Sequence, residues 1–280
     1  NFGYFGPSSM MWKVNKEITV LFGGARALLM HAAHPLIAAG ARQTSFYQRD
    51  HWKRLIRTLS LQNSVTFGTT EEADESANRI NKLHEVIKGT DEVTGGYYDA
   101  LDQEQLLWVH ACLQISSIYF YEKTVKKLSE DEKNQYHKEN IVAAELVLIK
   151  KDFIPKTHEE LKNWVIEKSR KNEYLQLTDV ALDVKDIIKG GPVPTHIKPI
   201  WPFISFTAFN TLPKEFKELY GVKDTRISEI LIKFNLGLLK FTRPFLPPFF
   251  RLIAPARWAN QRIYKNPNLR FKDKVNINKI

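Results

Sequence analysis

The chain's eight histidines are its side chains best suited to ligate a metal or carry a proton near neutral pH. Three of them, His34, His84 and His110, stand in apolar stretches. His84 lies in "INKLHEVIKG" (80–89), which reads as the second half of a helix stopped by Gly89. At helical spacing His84 shares a stripe with Ile80, Leu83 and Ile87, while Asn81, Lys82, Glu85 and Lys88 take the wet face. His110 sits in "QLLWVHACLQI", with Leu106, Leu107, Leu113 and Gln114 as helical neighbours, and His34 directly precedes Pro35. A buried imidazole without a partner costs about 1–3 kcal/mol. Each ring therefore needs either a protein group or a metal.

The rest of the donor inventory narrows the metal. The single cysteine, Cys112, excludes an internal disulfide framework and a cysteine-rich site. The chain has no glycine-rich phosphate loop, no Gly-x-Ser-x-Gly and no His-Glu-x-x-His. A helical di-iron site needs Glu three residues before His. Those positions hold Leu28, His31, Gln48, Asn81, Leu107, Asn134, Pro155 and Val193. Several neutral imidazoles without a carboxylate cluster suit a haem iron better than a hard cation. Haem also needs partners for its propionates. In "WKRLIRTLSLQNS", Arg54 and Thr58 share a face at i and i+4, with Arg57 adjacent. A solvated arginine face is the competing reading of the same residues.

These residues must be positioned by helices. Apolar periodicity or capping residues mark helices over 24–33, 46–61, 69–89, 102–127, 130–148, 157–174, 180–188, 212–220 and 227–239. Thr69 and Glu72 form a capping-box pair. Residues 90–98 read as a loop around Gly95 and Gly96, and 199–209 as aromatic and irregular. No hairpin signal stands out. The expected fold is all-α, one globular domain over 1–280.

Hydrophobic content of 43% and charged content of 26% indicate a folded chain rather than a disordered one. Its net charge of +10 is unevenly placed: residues 221–280 hold 13 Lys or Arg and 3 Asp or Glu, so the first 220 sum to zero. The same C-terminal segment is rich in apolar residues, interrupted by Lys233, Lys240, Arg243 and Arg251 and by Pro244, Pro247, Pro248 and Pro255. That composition is wrong for a membrane span and suited to packing on the body or to peripheral contact with a membrane. Nucleic-acid motifs are missing, and no nucleic-acid partner is expected. Residues 18–41 are also apolar, but Pro35 breaks them, and two buried helices are expected there. The chain starts at Asn1 rather than Met, which leaves a preceding targeting segment open; the expected location is cytoplasmic with membrane association.

Five short motifs occur in a familiar order: "GGARALLMHAAHPLIAAG" (23–40), "RLIRT" (54–58), "TFGT" (66–69), "LHEVIKG" (83–89) and "LLWVHA" (106–111). Over about residues 11–262 the chain resembles the DUF2236 family. This is the catalytic domain shared by the oxygenase of mycophenolic acid biosynthesis and latex clearing protein. The resemblance implies an all-α domain enclosing a b-type haem with a histidine axial ligand. It places that ligand on His84, the Arg-x-x-basic-Thr motif that lines the haem or O2 pocket on Arg54, Arg57 and Thr58, and a second histidine, supporting the cofactor site from behind or structural, on His110. It further implies O2-dependent oxidation of an apolar, isoprenoid or lipid-like substrate, with cleavage of a carbon–carbon double bond. Latex clearing protein has a glutamate upstream of the Arg-Thr motif; here no Glu lies between Glu17 and Glu71. Rubber cleavage is therefore not expected, and His34 becomes the candidate acid/base or O2 partner. Two alternatives stand beside the oxygenase: a peroxidase or peroxygenase on the same haem, and a non-catalytic haem or lipid carrier in which His34 or His110 closes the iron.

Overall fold

The computed structural model describes residues 2–44, 51–191, 193, 195 and 197–265, with the side chains of 51–58 outside that description. The described residues are helical apart from one short two-stranded ribbon. At the centre lies α6 (Gln103–Thr124), which is apolar nearly all round and buries Leu107, Trp108, Ala111, Cys112, Ile118 and Phe120. A helix without a wet face belongs in the middle of a bundle. Asp102 caps it by accepting from the amides of Glu104 and Gln105, both at 3.0 Å.

Against it packs α2 (Phe22–Ala32). The Trp108 indole donates to the Met30 carbonyl at 3.2 Å, and the buried Arg26 guanidinium donates to Ser116 Oγ at 2.6 Å and the Thr211 carbonyl at 2.9 Å. The Tyr220 hydroxyl donates to the Leu29 carbonyl at 2.7 Å. These bonds join α2 to α6, to α11 (Lys214–Tyr220), and to the end of α10 (Trp201–Asn210).

Pro35 breaks the apolar run as expected. It opens α3 (Pro35–Gln43), and the chain turns by 99° between the segment ending at Ala32 and α3. No single helix among the described residues is long and apolar enough to cross a membrane.

The helices α4 (His51–Phe67) and α5 (Thr70–His84) follow, linked by Gly68 and Thr69 and packed on each other. Only glycine fits the link, because a Cβ on Gly68 would stand 2.4 Å from the Ser64 carbonyl oxygen. The capping box is formed: Thr69 Oγ1 accepts from Glu72 N at 3.3 Å, and Thr69 N donates to Glu72 Oε2 at 3.0 Å.

Several boundaries differ from the sequence reading. α5 stops at His84, and Gly89 lies in β1 (Lys88–Thr90), paired antiparallel with β2 (Tyr97–Asp99) across the segment read as a loop. A Cβ on Gly89 would meet Tyr98 Oη at 2.9 Å, so this glycine permits strand pairing against a tyrosine rather than stopping a helix. The aromatic stretch read as irregular is helical, as α10. The helix expected from residue 46 is described from His51, and 46–50 lie outside the described residues.

Helices α7 (Glu130–Leu146), α8 (His158–Ser169) and α9 (Asp179–Gly190) complete the packing around α6 and α2. The C-terminal segment adds α12 (Arg226–Thr242), α13 (Pro248–Arg251) and α14 (Ala254–Tyr264). It is tied to the N-terminal segment: the amide of Ile253 donates to the Lys16 carbonyl at 3.0 Å, and Arg243 forks onto the buried Glu17 carboxylate at 2.7 and 2.8 Å.

Candidate active site

The buried face of α5 is Ala73, Ala77 and Asn81, and His84 continues it by one further turn. This corrects the expected stripe. Leu83 is 44% exposed, whereas Asn81, assigned to the wet face, is buried and donates to the Leu146 carbonyl at 2.9 Å. The error has a physical source: Ile80 and Leu83 outrank alanine and asparagine in hydrophobicity, but small residues let helices approach closely. His84 therefore sits at the end of an inward face lined by small side chains, half-buried. Its Nδ1 is buried and has no hydrogen-bond partner among the described residues. No carbonyl or carboxylate among the described residues accepts from that nitrogen. Burial lowers the pKa of His84, which keeps the ring neutral.

Arg54, Arg57 and Thr58 occupy the first half of α4, and His84 the last turn of α5. Each position is the part of its helix most remote along the chain from the Gly68–Thr69 link. The backbone places the two motifs on partner helices; the orientation of the three side chains lies outside the described residues.

His34 caps the start of α3 with extended backbone (φ −86°, ψ 117°). Its ring is buried edge-on against Tyr174, with centroids 4.7 Å apart, and lies 5.9 Å from Trp108. Its Nδ1 is likewise buried without a partner among the described residues. Burial pushes its pKa down to about 4, against the opposing pull of the Glu104 and Asp102 carboxylates. Glu104 is paired with Lys168, and burial followed by the Glu104 charge raises the Tyr174 hydroxyl above its ordinary range. Tyr174, Glu104 and Lys168 were not singled out in the sequence. No local pattern links them to a histidine 70 to 140 positions away.

The other end of α3 approaches the segment after His84. A Cβ on Gly40 would lie 3.2 Å from Ile87 Cγ2, and Gln43 Nε2 donates to the Val86 carbonyl at 3.4 Å. Helical rise makes α3 about 13 Å long. His34 and His84 thus mark opposite ends of one short helix.

His110 has a different setting. It lies one turn before Gln114 on α6, close enough to His137 for that ring to act on it, and burial holds its pKa at about 4. His137 donates through Nε2 to the Pro155 carbonyl at 2.8 Å, so its Nδ1 is free to accept from Gln114 Nε2 at 2.9 Å. The same amide nitrogen lies 3.3 Å from His158 Nδ1. Gln114 therefore bridges two buried neutral imidazoles, a polar network linking α6, α7 and α8. Neither His137 nor His158 drew attention in the sequence.

Among the described residues, no three His, Cys, Asp or Glu side chains are grouped to hold a bare metal ion. Haem asks less of the protein, because the porphyrin supplies the in-plane nitrogens and one side chain supplies the axial bond. A neutral imidazole with a buried ring nitrogen that has no partner among the described residues fits that requirement, and His84 provides one. Two open surface clefts, of about 550 and 520 Å³, are lined largely by charged groups such as Arg170 and Glu215, or Asp74 and Arg79. Neither includes a predicted site residue.

The family comparison decides the broad class. Residues 12–244 match the catalytic domain described as "ER-bound oxygenase mpaB/B′/Rubber oxygenase". The chain belongs to this family. No curated protein and no solved structure matches it. The match spans α2 to α12 and so includes all the predicted site residues. The chain is therefore an oxygenase-family enzyme domain, and the all-α expectation holds for the described residues.

Proposed function

We propose that this chain is a haem-b oxygenase, folded as one helical domain, that uses O2 to oxidise an apolar, isoprenoid or lipid-like substrate. The observation that carries the proposal is His84. It is a neutral imidazole with a buried nitrogen that has no partner among the described residues, set at the end of α5 beside the helix bearing Arg54, Arg57 and Thr58, within an oxygenase domain.

In this reading His84 would hold the haem iron. Burial lowers its pKa, which favours the neutral ring with a free coordinating lone pair. Arg54 and Arg57 pair with the propionate carboxylates, for which guanidinium geometry is suited. The Thr58 hydroxyl would supply a polar group to the haem site. His34 holds or moves a proton at Nδ1, the nitrogen that has no partner among the described residues. His110 serves the cofactor indirectly, by stiffening α6 through its polar neighbours. When bound, haem supplies the redox chemistry with O2 that these side chains lack.

The test is haem retention. Wild-type protein loaded with haem should keep its Soret absorbance through gel filtration. His84→Ala should lose it while retaining its helical circular dichroism, and free imidazole should restore part of the band. Full retention by His84→Ala would remove the assignment.

A further inference from the structure

The C-terminal helix α12 presents two apolar faces, and only one of them is covered. Ile227, Ile230, Phe234 and Phe241 are 71%, 67%, 63% and 69% exposed. Leu231 and Leu238 lie exposed between them. At 100° per residue these six positions fall within an arc of about 100°. Leu236, opposite that arc, is 7% exposed and packs on the body, flanked by the partly covered Ile232 and Leu239. The outer stripe is therefore not the core face of a badly seated helix. The helix is already docked by its other side.

The stripe continues past the helix into Phe245, Phe249 and Phe250, each at least 60% exposed. Beside α13 lies the turn Ile18–Leu21, where Ile18 and Leu21 are also exposed. An apolar surface this extended is rare on a monomeric protein and marks a contact site.

Charge says what the contact is. Arg226, Lys233 and Lys240 line one edge of the exposed arc. Lys13 and Arg251 lie close enough to Lys16 for their charges to act on it, beside the Glu17–Arg243 ion pair, and Arg257 lies 3.9 Å above the Phe249 ring. Residues 221–280 carry all of the chain's net +10. A second copy of the chain would set one such cationic surface against another. An anionic lipid surface complements both the charge and the apolar stripe.

We propose that α12 and α13 form a membrane-docking face, on which Ile230, Phe234, Phe241 and Phe249 enter the headgroup–acyl boundary of an anionic bilayer while the flanking lysines and arginines meet lipid headgroups. This face would lie along the membrane surface rather than cross it. This proposal does not depend on haem, because the face is built from the C-terminal segment and not from α4 or α5.

The test is flotation of the full chain with vesicles of phosphatidylcholine alone and of phosphatidylcholine mixed with phosphatidylserine. The wild type should float with the anionic vesicles, less as salt rises, and only weakly with the neutral ones. Phe234→Glu/Phe241→Glu should reduce flotation at least tenfold without changing the thermal unfolding midpoint, since both positions are solvent-exposed. Lys233→Gln/Lys240→Gln should weaken binding to anionic vesicles only. Equal binding to neutral vesicles would overturn the anionic-lipid assignment, and absence of flotation would overturn the face as a whole. A dimer in light scattering that Phe234→Glu/Phe241→Glu converts to monomer, without vesicle binding, would assign the face to a second copy instead.

Discussion

At the scale of single residues, burial governs the histidine chemistry. His34, His110 and His158 are each held near pKa 4 by desolvation, below the ordinary 6.5. The unfolded chain binds their protons first as pH falls, so the folded state loses stability progressively between about 6.5 and about 4. Thermal midpoints measured from pH 7.5 to pH 4 should fall across that window, and a flat profile would contradict neutral burial. At His34 the proposed proton role predicts a more specific result. His34→Ala should lower turnover roughly a hundredfold while the haem band stays intact. Loss of the band together with activity would give His34 a structural role instead.

At the scale of elements, caps and breaks were the most legible features, because each is a local interaction within four residues. Thr69, Asp102 and Thr157, where the sequence starts three helices, all accept backbone hydrogen bonds there, and Ser129 caps a fourth that the sequence reading began one residue later. Thr69→Ala should cost about 1 kcal/mol, read as a lower urea midpoint. Trp108→Ala, which removes a fully buried indole from the second turn of α6, should cost about 3–5 kcal/mol. What the sequence hid was of two kinds. The ribbon of β1 and β2 involves three residues per strand, too few to show alternation, and a tyrosine rather than a turn motif determines its close fit. The inward face of α5 was misassigned because Ala73, Ala77 and Asn81 carry little hydrophobic signal; their burial follows from how closely α5 packs on its neighbours. His84 was proposed from its residue type and the family resemblance, and its environment only emerged from the fold. The His34–Tyr174 contact and the Gln114 bridge between His137 and His158 join distant parts of the chain and have no local signature.

At the scale of the whole molecule, the chain divides into an electrically neutral helical body and a cationic, apolar C-terminal segment bound to it through Glu17–Arg243 and the Ile253–Lys16 backbone contact. The oxygenase-family match covers the body and continues into the segment as far as residue 244. The segment is the surface proposed to bring the oxygenase chemistry to membranes, where apolar substrates dissolve. The central claim is that the body binds haem through His84 and leaves the opposite side of the iron open. The most direct measurement is the absorption spectrum of the haem-loaded wild type as ferric protein, after dithionite reduction, and after addition of carbon monoxide. The account predicts a Soret band that shifts on carbon monoxide. A protein that takes up no haem, or a Soret band that carbon monoxide does not move, would contradict it.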